Sequence, residues 1–208
     1  MTAKVVIVDR DNANINSLRN ALNYVGDCTV SVSSDPTEIR ESDFIVLAGV
    51  GAFGDGMADL DRKKLIDLLS EQALHIKKPF LGICLGMQML FTSSSENGEH
   101  RGLNFIEGSV DRLDLPDSFR VPHVGWNNIE YEGETKIFEN LSADKNFYFV
   151  HSFHANCQKN NIIATVDYGQ IITAAVQSEN ILGFQFHPEK SQENGMVLLR
   201  NFLSKNYF

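Results

Sequence analysis

The sequence predicts an α/β fold: a mostly parallel central sheet flanked by helices, with added antiparallel strands. Three observations carry that expectation. Apolar, β-branched runs alternate with amphipathic segments through the first half, the pattern of strand–helix–strand units. A cysteine framed by glycines (GICLG, residues 82–86) stands where an apolar run passes into a helical one. The second half is richer in short strand signals separated by tight-turn residues.

The elements follow in order. Residues 4–9 (KVVIVD) are a continuous β-branched run, as in a strand buried on both faces. Residues 14–25 place Ile15, Leu18, Leu22 and Val25 at helical spacing, and Gly26 stops the helix. Short strands are expected over 28–32 and 44–47. Residues 49–56 (GVGAFGDG) read as a glycine-rich loop. Residues 61–73 read as a helix with Leu65, Leu68 and Leu69 inside. Residues 79–83 form a fourth apolar strand, and 84–91 continue as a helix. Strands are then expected over 104–113, 126–131, 147–151, 162–167, 171–177 and 182–186. Tyr168-Gly169-Gln170 and Ser178-Glu179-Asn180 supply tight turns for meander hairpins. A final helix over 192–204 turns Val197, Leu198 and Phe202 inward. With no internal repeat and no long linker, residues 1–208 read as a single domain.

Composition narrows the classes of function. Hydrophobic residues make up 43% and charged residues 22%, ordinary for a folded soluble chain and against disorder. The formal charge of −9 argues against generic nucleic-acid binding, which draws its affinity from basic surface. No apolar stretch reaches the length of a membrane span, and residues 5–8 are too short an apolar run for a signal-peptide core. Cys28, Cys84 and Cys157 are odd in number and widely spaced, so they form no disulfide framework and no CxxC metal pair. The expectation is a reduced, cytoplasmic protein.

Cys84 carries the chemistry. The form G-x-nucleophile-x-G between strand and helix lifts the middle side chain out of the sheet. There the first free N–H groups of the helix favour a thiolate. A lone cysteine is usually a buried packing residue; the glycine frame reverses that reading for Cys84 and leaves Cys28 and Cys157 as structural. A thiol nucleophile needs a base and a group to orient it. Of six histidines, His187 ends an apolar strand in GFQFHPE, where parallel α/β sheets present their ligand crevice. Glu189 follows two residues on, placed to hold the imidazole. Cys84, His187 and Glu189 thus make a catalytic triad in thiol form.

PFLGICLGMQ together with GFQFHPEKSQ resembles the class I glutamine amidotransferases of the triad glutaminase type, and the resemblance covers essentially the whole chain. It implies a flavodoxin-like sheet and attack of a cysteine on the glutamine side-chain amide, with a thioester intermediate and release of ammonia. It implies no cofactor and no metal. GVGAFG (49–54), VPHVGWN (121–127) and FYFVHSF (147–153) are similar to the branch that serves as glutaminase subunit of imidazole glycerol phosphate synthases. That likeness implies an oxyanion hole from the backbone near Val50 or Gly51 together with the Leu85 N–H. One such donor is worth about 3 kcal/mol. It also implies glutamine contacts at Gly49, Gln88, Glu96, His151 and Ser152. His123, Trp126 and Asn127 are implied at an interface with a cyclase subunit, a (β/α)8 barrel, in a heterodimer. The cyclase would make imidazole glycerol phosphate and an aminoimidazole carboxamide ribotide for histidine biosynthesis.

Two departures stand out. Residues 9–14 read DRDNAN where the family commonly has DYGxGN, so both glycines are lost. Ala48 stands where proline commonly precedes the oxyanion glycine. These leave open a paralogous subunit that feeds ammonia to another synthase, such as a surface-sugar amidotransferase. A catalytically silent interaction module is the remaining alternative, and the intact Cys84, His187 and Glu189 argue against it.

Overall fold

The structure, a computed structural model, describes residues 2–10, 15–132 and 135–205. In the first half, strands β1 (Ala3–Val8), β2 (Cys28–Ser33), β3 (Phe44–Gly49) and β4 (Phe80–Cys84) alternate with helices α1 (Asn16–Val25), α2 (Pro36–Glu41), α3 (Phe53–Arg62), α4 (Ile66–Ser70) and α5 (Leu85–Gln88). The second half adds β5 (Phe91–Ser94), β6 (His100–Arg101), β7 (Ile106–Arg112), β8 (His123–Glu130), β9 (Asn146–His151) and β10 (Phe153–Cys157). It ends with β11 (Ile162–Asp167), β12 (Ile171–Ser178), β13 (Ile181–Phe184) and α6 (Gln192–Ser204).

Among the described residues, nine strands form one sheet in the order β2-β1-β3-β4-β13-β12-β11-β8-β9. The first five run parallel, and β12, β11, β8 and β9 continue antiparallel. A four-stranded sheet, β10-β7-β5-β6, stands apart. The expected mixed α/β fold is therefore present. Alternation of side chains explains why the parallel strands are apolar throughout. Val5, Ile7, Phe44 and Val46 face Leu18 and Leu22 of α1 and Leu198 and Phe202 of α6. Val6, Val8, Ile45 and Leu47 face Phe53 and Leu60 of α3 and Leu69 of α4. Both faces are covered, so a single polar residue on either would meet a core.

Several elements differ from the sequence expectation. The glycine loop is shorter: Gly54 and Gly56 lie inside α3, where a Cβ on Gly56 would stand 2.8 Å from Met89 Sδ. The helix expected over 61–73 is broken after Arg62, because Lys64 takes φ +56°. The chain restarts as α4 and ends in a wider, π-type turn over Glu71–His75. The helix expected over 84–91 is one turn long, and Phe91 already begins β5. The strand expected from 104 starts at Ile106, since Asn104 has φ +55°. The strand expected from 126 starts at His123, and the one over 182–186 ends at Phe184. Helix α2 and strands β5, β6 and β10 were not expected. α2 does have a local signature: Asp35 accepts from the N–H groups of Thr37 (2.6 Å) and Glu38 (3.3 Å), and Pro36 occupies the first helical position. The start of the first expected helix, residue 14, lies outside the described residues.

Candidate active site

The parallel strands place the site. In register, Gly49 at the end of β3 pairs with Cys84 at the end of β4, and Phe184 of β13 pairs with Ile83. The chemistry-bearing residues therefore meet at the carboxyl edge of the sheet, beside the crevice expected for such folds. Cys84 adopts φ +52° and ψ −111°, a conformation that costs a non-glycine residue roughly 1–3 kcal/mol. Its neighbours explain how the turn is held. A Cβ on Gly86 would lie 1.8 Å from the Leu47 carbonyl oxygen, and one on Gly82 would lie 2.7 Å from the Gly86 carbonyl oxygen. Only glycine lets the first turn of α5 close against β3. Because α5 is a single turn, its macrodipole is small, and the charge environment of the thiol comes mainly from His187.

His187 follows β13 and is tied down on both sides. Its N–H donates to the Tyr148 carbonyl (2.9 Å), and its carbonyl accepts from Ser191 Oγ (2.6 Å). Nδ1 lies 2.8 Å from Glu189 Oε1, and both side chains are 6% exposed. Burial lowers the imidazole pKa, but the neighbouring Cys84 sulfur and the hydrogen-bonded Glu189 carboxylate outweigh it and raise the value to about 10. His187 Nε2 is buried and makes no formed hydrogen bond. Cys84 and Glu189 together thus favour the protonated imidazole.

A pocket of about 310 Å³ opens over Cys84. Val50, Gly51, Leu85, Gln88, Glu96, Pro122, Val150, His151, Ser152 and Phe153 line it together with Cys84. The pocket thus gathers all but one of the residues expected to bind glutamine, together with the expected oxyanion donors. Gly49 is the exception. Its Cβ position is 2.5 Å from Arg10 Nη1, so it packs on the buried Arg10 guanidinium instead. Val50 is 42% exposed, and Gly51 has φ +102° with open space around it. Glu96 Oε2 accepts the Phe53 N–H at 2.7 Å, closing the start of α3. The Gln88 amide donates to the Phe153 carbonyl and to Gln185 Oε1, both at 3.0 Å. With both N–H groups engaged, its oxygen is the acceptor left for a ligand.

Other expected residues fall away from the pocket. Trp126 is 54% exposed beside Tyr148. His123 is fully buried and offers no surface of its own to a partner. Asn127, half-buried, contacts His123. Of the altered segment near the N-terminus, Asp11, Asn12 and Ala13 lie outside the described residues. Ala48 is buried in β3. Two contributors escaped sequence reasoning. Gln185 Nε2 lies 3.9 Å from Cys84 Sγ, and the Phe153 carbonyl anchors both Gln88 and His151. Gln185 had a signal, being a polar residue inside an apolar buried strand end; a backbone carbonyl has none.

Fold and site together define a glutaminase-type amidotransferase, and the chain belongs to the family described as Glutamine amidotransferase class-I, which it matches over residues 6–206. Among its relatives, it is 50% identical over 200 residues to imidazole glycerol phosphate synthase subunit HisH 2 of Vibrio vulnificus, covering 96% of this chain and 94% of that one. It is 42% identical over 205 residues to imidazole glycerol phosphate synthase subunit HisH of Aquifex aeolicus, covering 97% of each. PurLQS from Thermotoga maritima has the same fold, with a TM-score of 0.73 at 19% identity over 98% of this chain and 99% of that one.

Proposed function

We propose that this chain is the glutaminase subunit of an imidazole glycerol phosphate synthase. It hydrolyses glutamine and passes the ammonia to a cyclase subunit, a (β/α)8 barrel held in a heterodimer, in the cytoplasm. The observation that carries this reading is 40–50% identity to such subunits over nearly the whole chain, joined to a thiol pocket of the required chemistry. One sheet running through both halves supports reading residues 1–208 as one amidotransferase domain.

Glutamine enters with its side-chain amide over Cys84. Gln88 and Glu96 present acceptors for the substrate's ammonium and N–H groups, and His151 and Ser152 line the same pocket. Cys84 Sγ attacks the amide carbon. The resulting oxyanion is received by the Leu85 N–H and by a peptide N–H at Val50 or Gly51. His187 gives its proton to the departing nitrogen, the C–N bond breaks, and ammonia leaves a thioester on Cys84. Water then attacks the thioester carbon, losing a proton to His187. The C–S bond breaks and glutamate departs. Glu189 holds the imidazole in the orientation both steps need.

Glutamate formation in the presence of the cyclase and its nucleotide substrate tests this. Cys84→Ala should lower the rate at least about 10³-fold. An unchanged rate sinks the catalytic assignment. If the histidine-pathway cyclase neither binds nor stimulates the chain, the partner is a different synthase.

A further inference from the structure

We propose that His123 is a positioning residue for glutamine hydrolysis: through His151 it holds the Phe153 carbonyl that orients Gln88 beside Cys84. The proposal rests on the glutaminase reading above. Its basis is an unbroken run of contacts that crosses three strands. His123 Nε2 lies 2.9 Å from Asn127 Oδ1 on β8, and His123 Nδ1 lies 3.0 Å from His151 Nε2 on β9. His151 Nδ1 is 2.8 Å from the Phe153 carbonyl oxygen at the start of β10. The same oxygen accepts Gln88 Nε2 at 3.0 Å. Gln88 in turn reaches Gln185, whose amide nitrogen stands 3.9 Å from the Cys84 sulfur.

Donor and acceptor roles along this run are forced. A carbonyl oxygen only accepts, so His151 must carry its proton on Nδ1. Burial, only partly offset by that hydrogen bond, lowers the His151 pKa to about 3, so the ring is neutral in use. Its Nε2 is then a lone pair, and His123 must supply an N–H from Nδ1; the neutral His123 ring is left an acceptor at Nε2, so Asn127 must present its amide NH2 there rather than its oxygen. The ring of His123 cannot tumble out of this role. It lies between Tyr168 (centroids 3.9 Å apart, 18° between planes) and Phe149 (4.8 Å, 17°), and none of its surface is exposed. A buried histidine with a leucine's packing duty alone would not need a ring nitrogen aimed at a second histidine. Here the pairing fixes the tautomer of the residue that shares an acceptor with Gln88.

The test compares two side chains of nearly equal size. His123→Asn keeps an N–H close to the position of Nδ1, and His123→Leu removes it. With saturating cyclase, His123→Leu should raise the KM for glutamine about ten-fold, with kcat changed less than about three-fold, because the lost hydrogen bond acts on substrate orientation. His123→Asn should bring KM back to within about three-fold of the unaltered chain. Two results overturn the proposal: an unchanged KM in His123→Leu, or equal impairment in both variants, which would make the position a matter of packing. A second readout does not depend on activity or on the leucine variant folding. Nitrogen NMR of the labelled imidazoles should show His151 protonated on Nδ1 in the unaltered chain and in His123→Asn. Protonation of His151 on Nε2 in the unaltered chain overturns the relay. If the unaltered chain with its cyclase forms no glutamate, the glutaminase reading fails, while the imidazole spectra still decide the relay.

Discussion

Two histidines at the site lean in opposite directions, and their signs set how stability depends on pH. His187 folds into contact with Cys84 and Glu189 and binds its proton up to about pH 10, against 6.5 for a free imidazole. The stabilisation it contributes is complete below pH 6.5 and is lost as pH rises from 6.5 towards 10. His151 is the reverse case: burial lowers it to about 3, so the folded chain refuses a proton that the unfolded chain accepts. Its contribution is complete above pH 6.5 and is lost as pH falls from 6.5 towards 3. From these two groups, stability should peak near pH 6.5. Thermal denaturation between pH 4 and pH 10 measures it. His187→Asn should flatten the alkaline limb and His151→Asn the acid limb; limbs unaffected by either change would refute the assignment. The sequence could reveal His187 and Glu189 because they are two residues apart just past an apolar strand. The tautomer of His151 was hidden, because it depends on how the Phe153 carbonyl and His123 of another strand meet its ring.

At the scale of elements, the strand-to-helix turn at Cys84 rests on close backbone approach. A methyl group on Gly86 would sit 1.8 Å from the Leu47 carbonyl oxygen, and neither β3 nor α5 can retreat without opening the sheet. Gly86→Ala should cost about 1–3 kcal/mol or more, read as a fall in the denaturation midpoint. Gly54→Ala is the instructive contrast. There the nearest atoms belong to the half-buried His100 side chain, at 2.5 Å, which can swing aside, and alanine recovers about 1 kcal/mol of helix propensity. Its midpoint should stay near that of the unaltered chain. Equal losses at both positions would show that backbone contact is not what distinguishes them. These glycines also show where sequence legibility ends. Gly82 and Gly86 were readable because a strand–turn–helix motif frames them. Gly54 and Gly56 looked like loop, since the side chains that pack against them, His100, Met89 and Arg10, are remote in sequence. The run from Met87 to Phe91 is buried all round and carries no helical period, so only the tertiary structure shows that its helix stops after one turn.

At the scale of the molecule, three exposed apolar residues, Val50, Val124 and Trp126, lie on or next to the elements that form the pocket. Val124 (53% exposed) and Trp126 (54%) project from the same face of β8, and Val124 pairs in register with Val150, which lines the pocket. Val50, bearing a proposed oxyanion donor, is itself exposed on the pocket wall. A cyclase seated on this edge would cover the tryptophan and touch the oxyanion loop together, so docking and turnover should be coupled. Two effects of Trp126→Ala can then be separated. An aromatic anchor buried at the centre of an interface contributes about 2 kcal/mol or more, so the Kd for the cyclase should rise about thirty-fold. Calorimetric titration measures that change. Because Trp126 touches neither Cys84 nor the pocket, saturating cyclase should restore glutamate formation nearly to that of the unaltered complex. An unchanged Kd would move the docking surface elsewhere. A weakened Kd whose lost turnover no excess of cyclase recovers would instead make the tryptophan part of the activation step, carried through the β8–β9 pairing to the pocket wall.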